Sequence, residues 1–223
     1  MSTQDQIIEH IVLFNVKPDV DPTKVAAMID GLNRMASLDL SIHVSAGELL
    51  SRSRSDSDSL TFSHIMHTRF TSNDNLQVYY THPEHLRMVS ENIHPIIDDI
   101  MIVDWISNNI SHEAPKPGSV MRVTLLKLKE DLLENEKSKF FEMMEGIKNQ
   151  FKAIEQVSFG ENFHAMAKGY SISSIVVFSG FSYLEAFDSD AGIVNSIKEK
   201  VKDSVETELV VDYMIPLPKV SDD

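Results

Sequence analysis

The segment Ile7 to Val16 carries apolar residues on both alternating faces, interrupted only by Glu9, His10 and Asn15. That pattern predicts a strand covered on both sides rather than one with a wet face. Asp21-Pro22 then gives a helix start, with aspartate at the N-cap and proline at the first helical position. Val25, Met28, Ile29, Leu32 and Met35 follow on one helical face. Ile42 to Leu50 and Leu60 to Phe70 read as a strand pair joined by the polar loop Ser51 to Ser59. A second helix runs from Asn73 to Tyr80, breaks at Pro83 and resumes, and a strand from Ile100 to Ile106 closes the unit. The same plan restarts with a strand at Val120 to Leu128, a helix from Leu132 to Phe151, and strands near Val157 and Ile175.

The two stretches are copies of each other. Val44-Ser45-Ala46-Gly47-Glu48 matches Val157-Ser158-Phe159-Gly160-Glu161, and Ile102-Val103-Asp104-Trp105 matches Val210-Val211-Asp212-Tyr213. Ile11 to Phe14 matches Val123 to Leu126, and all three matches fall in the same order at offsets of 108 to 113 residues. Between the copies, Glu113-Ala114-Pro115-Lys116-Pro117-Gly118-Ser119 has linker composition. The expected division is residues 7–112, a linker at 113–118, and a second domain at 119–218. A βαββαβ unit folds most simply as a ferredoxin-like α+β sandwich with both helices on one sheet face. Strands apolar on both faces need a cover for the other face. The expected fold class is therefore α+β: two ferredoxin-like domains packed sheet to sheet as an intramolecular α/β barrel.

Composition narrows the partners. The chain has 223 residues, 42% of them hydrophobic, with 34 acidic against 20 basic residues and a net charge of −14. Such a surface repels a phosphate backbone and an anionic membrane, so neither nucleic acid nor membrane is expected as a partner. With no cysteine, disulfides, thiolate nucleophiles and iron–sulfur clusters are excluded. No run of 18 apolar residues spans a bilayer, and the polar N-terminus leaves no room for a leader, which gives a cytoplasmic expectation.

Ile8-Glu9-His10-Ile11-Val12-Leu13-Phe14, Ser63-His64-Ile65 and Tyr79-Tyr80-Thr81-His82-Pro83-Glu84-His85 give the chain a likeness to a known group. Together, over residues 7–107 and more faintly over 119–218, the sequence resembles the stress-responsive dimeric α/β-barrel (Dabb) family, found largely in plants. Single-domain members pair so that two sheets close into a barrel. This chain resembles a tandem version, a monomer with an internal pseudo-dimer or a homodimer of such chains. One enzyme of the fold closes a polyketide by an aldol condensation. By that resemblance Tyr79 and His85 are catalytic, with His10 and His64 supporting them in the pocket. Some relatives hold magnesium through backbone carbonyls, which side-chain identity neither confirms nor excludes; no cofactor and no side-chain metal site is assigned. The second copy lacks the set: Arg122 stands near the His10 position, and Phe187 to Gly192 replaces the His-Pro-x-His stretch.

Seven of the nine histidines precede residue 95. His10 alternates with Ile8, Val12 and Phe14, and His64 with Phe62, Met66 and Phe70, on strands that are neighbours in a ferredoxin-like sheet. They are expected side by side in the interior, either as core histidines with satisfied hydrogen bonds or as acid–base groups near neutrality. A three-histidine metal site with His85 is an alternative by ligand type. A phenol such as Tyr79 can donate to a carbonyl oxygen that gains charge on enolisation. Tyr79 and Tyr80 point in different directions on a helix, so at most one is expected to face the pocket, and the family resemblance favours Tyr79. His43, His67 and His94 read as surface or strand-edge residues. Ser51 to Ser59 reads as a solvated hairpin loop or a phosphorylation segment, and Asn109-Ile110-Ser111 as an unused sequon. The helix bearing Phe140, Phe141, Met143, Met144 and Ile147 is more apolar than one stripe requires, from core packing or chain–chain contact.

Two functions compete on these observations. One is a small-molecule pocket in the first copy for an elongated apolar carbonyl compound such as a polyketide, with cyclase-like acid–base chemistry. The other is a non-catalytic stress- or defence-associated protein with a filled barrel core. The volume beside His85 discriminates between them.

Overall fold

The computed structural model describes residues 6–50, 54–55, 61–107, 112–129 and 134–217, with backbone only at 54–55 and 134–136. The first copy contains β1 (Ile7–Val16), α1 (Pro22–Arg34), β2 (His43–Glu48), the two-residue β3 (Arg54–Ser55), β4 (His64–Phe70), α2 (Asn73–Thr81), α3 (Pro83–Met88) and β5 (Ile97–Ser107). The second contains β6 (Val120–Leu128), α4 (Glu134–Gln150), β7 (Ile154–Glu161), β8 (Ile172–Phe178), α5 (Phe181–Ser189), α6 (Ala191–Val201) and β9 (Val205–Met214). Asp21 caps α1 as its sequence predicts, its carboxylate accepting from the Thr23 amide at 2.8 Å.

Each copy forms an antiparallel sheet in ferredoxin-like order, β2-β4-β1-β5 in the first and β9-β6-β8-β7 in the second. Strand alternation then sorts the side chains. Ile11 and Leu13 of β1 and Met101, Val103 and Trp105 of β5 meet Met121, Val123 and Leu125 of β6 and Val211 and Tyr213 of β9 in one buried cluster between the sheets. The opposite face of the first sheet, with Ile8, Val12, Phe14 and Met66, packs under the helices against Met28, Leu32, Met35 and Tyr79. The two-faced hydrophobicity of the strands is thus used fully: one face takes the chain's own helices, the other takes the second sheet.

The sheets also trade edges. Arg54–Ser55 of the first copy pairs with Val210 and Leu209 on the outer edge of β9, and the Leu50 amide donates to Asp212 O at 2.9 Å. Conversely, the β7–β8 loop of the second copy covers the outer edge of β5: the Asp104 amide donates to Asn162 Oδ1 at 2.8 Å and the Phe163 amide to Asp104 O at 2.9 Å. Both exposed edges are thereby partnered. The Ser51 to Ser59 stretch is therefore more than a solvated loop, since Arg54–Ser55 joins the other sheet; its remaining residues, like the 109–111 sequon, lie outside the described residues.

The repeated motif residues are the contacts of this interface. A Cβ at Gly47 would lie 3.1 Å from the Tyr213 ring, and one at Gly160 would lie 2.7 Å from Ile106 O and 2.9 Å from the Trp105 ring. Trp105 further donates from Nε1 to Ser158 Oγ at 3.0 Å. So the Gly of each copy receives the aromatic residue of the other. Gly160→Ala must displace backbone, and we expect a loss of about 1–3 kcal/mol in urea unfolding; an unchanged midpoint would contradict this packing.

Three expectations about histidines change. His10 is paired in register with Thr68, whereas His64 pairs with Phe14, so the two imidazoles are four residues apart along the strands and not side by side. They sit on the helix side of the first sheet rather than between the sheets, while Phe62, before β4 begins, does join the inter-sheet cluster. His67 is fully buried between the sheets, not at the surface, because Glu9 and Arg69 are buried beside it. His43 is half-buried with its ring centroid 4.8 Å from that of His67.

Candidate functional site

Three elements of the first copy bring polar side chains together under the helices. β1 and β5 are hydrogen-bonded neighbours whose register sets His10 opposite Asp104, and α2 lies over that face. His10 Nδ1 meets Asp104 Oδ1 at 2.7 Å, and the Tyr80 hydroxyl donates to Asp104 Oδ2 at 2.6 Å while lying 3.2 Å from His10 Nδ1. Burial pushes the Asp104 carboxyl up, but His10 and the Tyr80 hydroxyl outweigh it and hold the group below its ordinary value. A carboxylate only accepts, so His10 Nδ1 is the donor in this pair.

Tyr79 is fully buried, its ring centroid 4.4 Å from that of His85 and 6.0 Å from that of His10. Its hydroxyl donates to Met66 Sδ at 3.8 Å, a weak acceptor, and burial pushes its pKa up so that it stays a phenol. Pro83 restarts the helix after the His82 cap and so swings His85 back over α2, where its Nδ1 lies 3.3 Å from Tyr80 O. A carbonyl only accepts, so His85 Nδ1 carries the proton and Nε2 is the base. Burial lowers the His85 pKa, which keeps the ring neutral at neutral pH.

The second copy contributes as well. His164, on the β7–β8 loop, has its ring centroid 5.8 Å from that of Tyr80 and is half-buried at the same place. The cluster is thus His10, Asp104, Tyr80, Tyr79, His85 and His164. His64 is separate: its Nδ1 lies 2.9 Å from Ser63 Oγ, at the far end of β4. Tyr79 and His85 do stand together, as the motif suggested, but Tyr80 bonds the first-strand histidine. The sequence did hold a signal for Asp104, since the Val-Asp-aromatic motif recurs as Val211-Asp212-Tyr213. His164 could not be found that way, because it arrives from the other copy through the edge exchange. Among the described residues no three His, Asp or Glu side chains converge as a metal cage.

In the second copy one of the three places keeps its aspartate and the other two hold different groups. Arg122 sits opposite Asp212 in register, as His10 does opposite Asp104, and Asp188 follows Phe187 on α5 as Tyr80 follows Tyr79 on α2. Arg122 Nε donates to Asp212 Oδ1 at 2.7 Å, and Nη2 donates to Asp188 Oδ2 at 2.9 Å. A hydrogen-bonded acid–base triad has become an ion-paired one. A cavity of about 710 Å³ lies over it, between β6, β8 and β9 and the helices α4, α5 and α6. A smaller one of about 250 Å³ lies between α1 and α3; neither has His10, His64, Tyr79 or His85 as a wall.

The sequence profile of the Stress responsive A/B Barrel Domain matches residues 8–107 and again 120–215. A stress-response A/B barrel domain-containing protein of Arabidopsis thaliana is 46% identical over 215 residues, covering 96% of this chain and 80% of its own length. A second Arabidopsis thaliana protein of the same description is 38% identical over 216 residues, covering 94% of this chain and 97% of its own. Among solved structures, an anthrone oxidase-like protein superposes with a TM-score of 0.65 at 11% identity, covering 97% of this chain and 94% of its own. A monooxygenase-like protein of Lactobacillus acidophilus gives 0.61 at 12% identity, covering 93% and 92%. These two likenesses concern the fold alone: one chain carrying two such units is an arrangement found elsewhere. Among the described residues, no helix is long and apolar enough to cross a membrane. With two matched segments and two relatives along nearly its whole length, the chain belongs to the stress-responsive A/B barrel domain family, of which it is a tandem member.

Proposed function

We propose that the first copy is an acid–base site for a small, mainly apolar carbonyl compound, and that its chemistry is enolisation of the cyclase kind. The observation that carries the reading is the pairing of a phenol lacking a strong acceptor, Tyr79, with a neutral imidazole whose tautomer leaves Nε2 basic, His85, at a ring separation of 4.4 Å. His85 Nε2 removes a proton from the carbon next to the carbonyl, and the Tyr79 hydroxyl donates to the carbonyl oxygen as charge gathers there. The enolate then attacks a second carbonyl of the same molecule or takes the proton back at another carbon, and either path returns the proton. Asp104 and Tyr80 hold His10 in one orientation, and His164 closes the half-buried side. His64 has no part in this scheme.

A second reading is favoured by two observations: neither cavity described above borders Tyr79 or His85, and Tyr79 is packed among Phe70, Met66 and His10 with about 1% of its surface exposed. On that reading the first copy is filled core, and the protein acts without turnover. Turnover of linear poly-β-keto thioesters separates the two. His85→Ala is expected to lower kcat/KM by roughly 10²- to 10⁴-fold, and Tyr79→Phe by at least about tenfold. Turnover equal to wild type in both folded variants would remove the assignment, as would the absence of any turnover in the wild type.

A further inference from the structure

We infer that the second copy is a binding site in its own right, for a neutral, elongated amphiphile with an apolar body and a hydroxyl or carbonyl head. The cavity of about 710 Å³ is of the size that encloses small-molecule ligands. Its walls are apolar: Leu126 from β6, Phe140, Met144 and Ile147 from α4, and Ile197 and Val201 from α6. Of the apolar α4 residues noted in the sequence, Phe140, Met143, Met144 and Ile147 border the cavity while packing in the core cluster beneath α4, and Phe141 stacks on Phe159 instead. Helix α6 packs Ile193, Ile197 and Val201 partly against the core and lines the cavity with Val194, Ile197 and Val201, yet none of its residues is buried. The helix therefore stands over unfilled space, and apolar side chains left facing such space gain by burial against a ligand.

The polar groups of the lining select the head group. Arg122 and Asp188 pair at one end, Thr124 and Ser174 stand opposite each other next along the strands, and Glu208 lies opposite Leu126 farther on; with Lys198 the lining carries two positive against two negative charges. Arg122 would be the natural anchor for a carboxylate, but Asp188 and Asp212 already engage its guanidinium through Nε, Nη1 and Nη2. No net positive charge remains to offset the desolvation of an anion. Hydroxyl and guanidinium groups can still satisfy a neutral oxygen, and Thr124 stands next along the strand from Arg122. The site is independent of the acid–base cluster, which lies on the other sheet.

Nile red, a neutral apolar dye, is the probe. The full chain is expected to bind one equivalent saturably, with 1-dodecanol displacing the dye at least tenfold more effectively than dodecanoate. Ile197→Trp and Val210→Trp, both half-buried positions on the lining, should each weaken dye binding at least tenfold with unfolding midpoints near wild type. His85→Ala should leave binding unchanged, which separates this site from that of the first copy. Should a tryptophan variant fail to fold, Phe140→Ala, which enlarges the cavity, is expected to retain binding and admit a bulkier dye. Absence of saturable binding, loss of binding in His85→Ala, or unchanged affinity in both tryptophan variants would overturn the inference; displacement by dodecanoate in preference to dodecanol would overturn its head-group assignment.

Discussion

Arg69→Met is expected to destabilise the protein by about 3–5 kcal/mol, the cost of leaving a buried carboxylate without its cation. Glu9, His67 and Arg69 are all fully buried between the sheets. Arg69 Nε donates to Glu9 Oε1 at 3.0 Å, and His67 Nε2 meets Glu9 Oε2 at 2.6 Å. Burial pushes the Glu9 carboxyl up, but Arg69 and His67 overcome it and hold the pKa down to about 2. Arg69 also reaches outward: Nη1 donates to Glu113 O in the linker and to Gln156 Oε1 on β7, both at 2.8 Å. One side chain thus neutralises Glu9, fixes the linker and ties the first sheet to the second. The double variant Arg69→Met/Glu9→Gln removes both charges and should recover most of the loss, because what the single variant exposes is chiefly an unpaired charge. Urea unfolding of both variants checks this. A loss under about 1 kcal/mol in the single variant would show that water, not protein, solvates Glu9.

The second large effect is on pH. Burial is the main reason that His43 has its pKa lowered from 6.5 to about 2, with His67 and Arg69 adding to it against the opposing pull of Glu9. Below pH 6.5 the unfolded chain takes up a proton at His43 that the folded chain refuses, so stability falls as pH falls. The limiting slope is about 1.4 kcal/mol per pH unit for each such group. His67, whose pKa burial also lowers, acts in the same direction. Glu9 enters lower down: its contribution is complete above its unfolded value of 4.5 and is lost as pH falls toward about 2. Stability should therefore decline from pH 6.5 and more steeply below 4.5. His43→Gln should flatten the upper part by close to one proton's worth of slope. An unchanged slope would mean that the ring is hydrated in the folded state.

Elements whose signal is local were legible in the sequence. β1 and β6 have the bounds that their apolar runs predict, and the Asp21-Pro22 start and the break at Pro83 fall where cap and ring chemistry require. The sheet-to-sheet packing was legible too, because two-faced strands and an internal repeat together leave one arrangement. What failed was register. That β1 and β4 are adjacent follows from topology, but which residue of one stands opposite which of the other depends on how α1, β2 and their connections between the two strands pack. Alternation alone therefore suggests a pairing of His10 with His64 that a four-residue offset rules out. His67 shows a different failure. A histidine on an alternating strand carries no mark of its depth, and its burial follows from Glu9 and Arg69, whose charges argue for a surface when read singly. The site divided the same way. Tyr79 and His85 belong to one contiguous motif and stand together. Asp104 is marked by the repeated Val-Asp-aromatic motif, but its place opposite His10 comes from sheet register, and His164 comes from an exchanged loop; neither placement is written in local sequence.

The barrel requires the second half to be the permanent partner of the first, with each half's loop seated on the other's edge strand. Hydrogen exchange at three amides reads this out: Leu50, bonded to Asp212 O; Asp104, bonded to Asn162 Oδ1; and Phe163, bonded to Asp104 O. Protection at all three equal to that of the central strands β1 and β6 is the expected result. Exchange at the rate of an exposed loop, with β1 and β6 still protected, would show that the halves are not joined in this way.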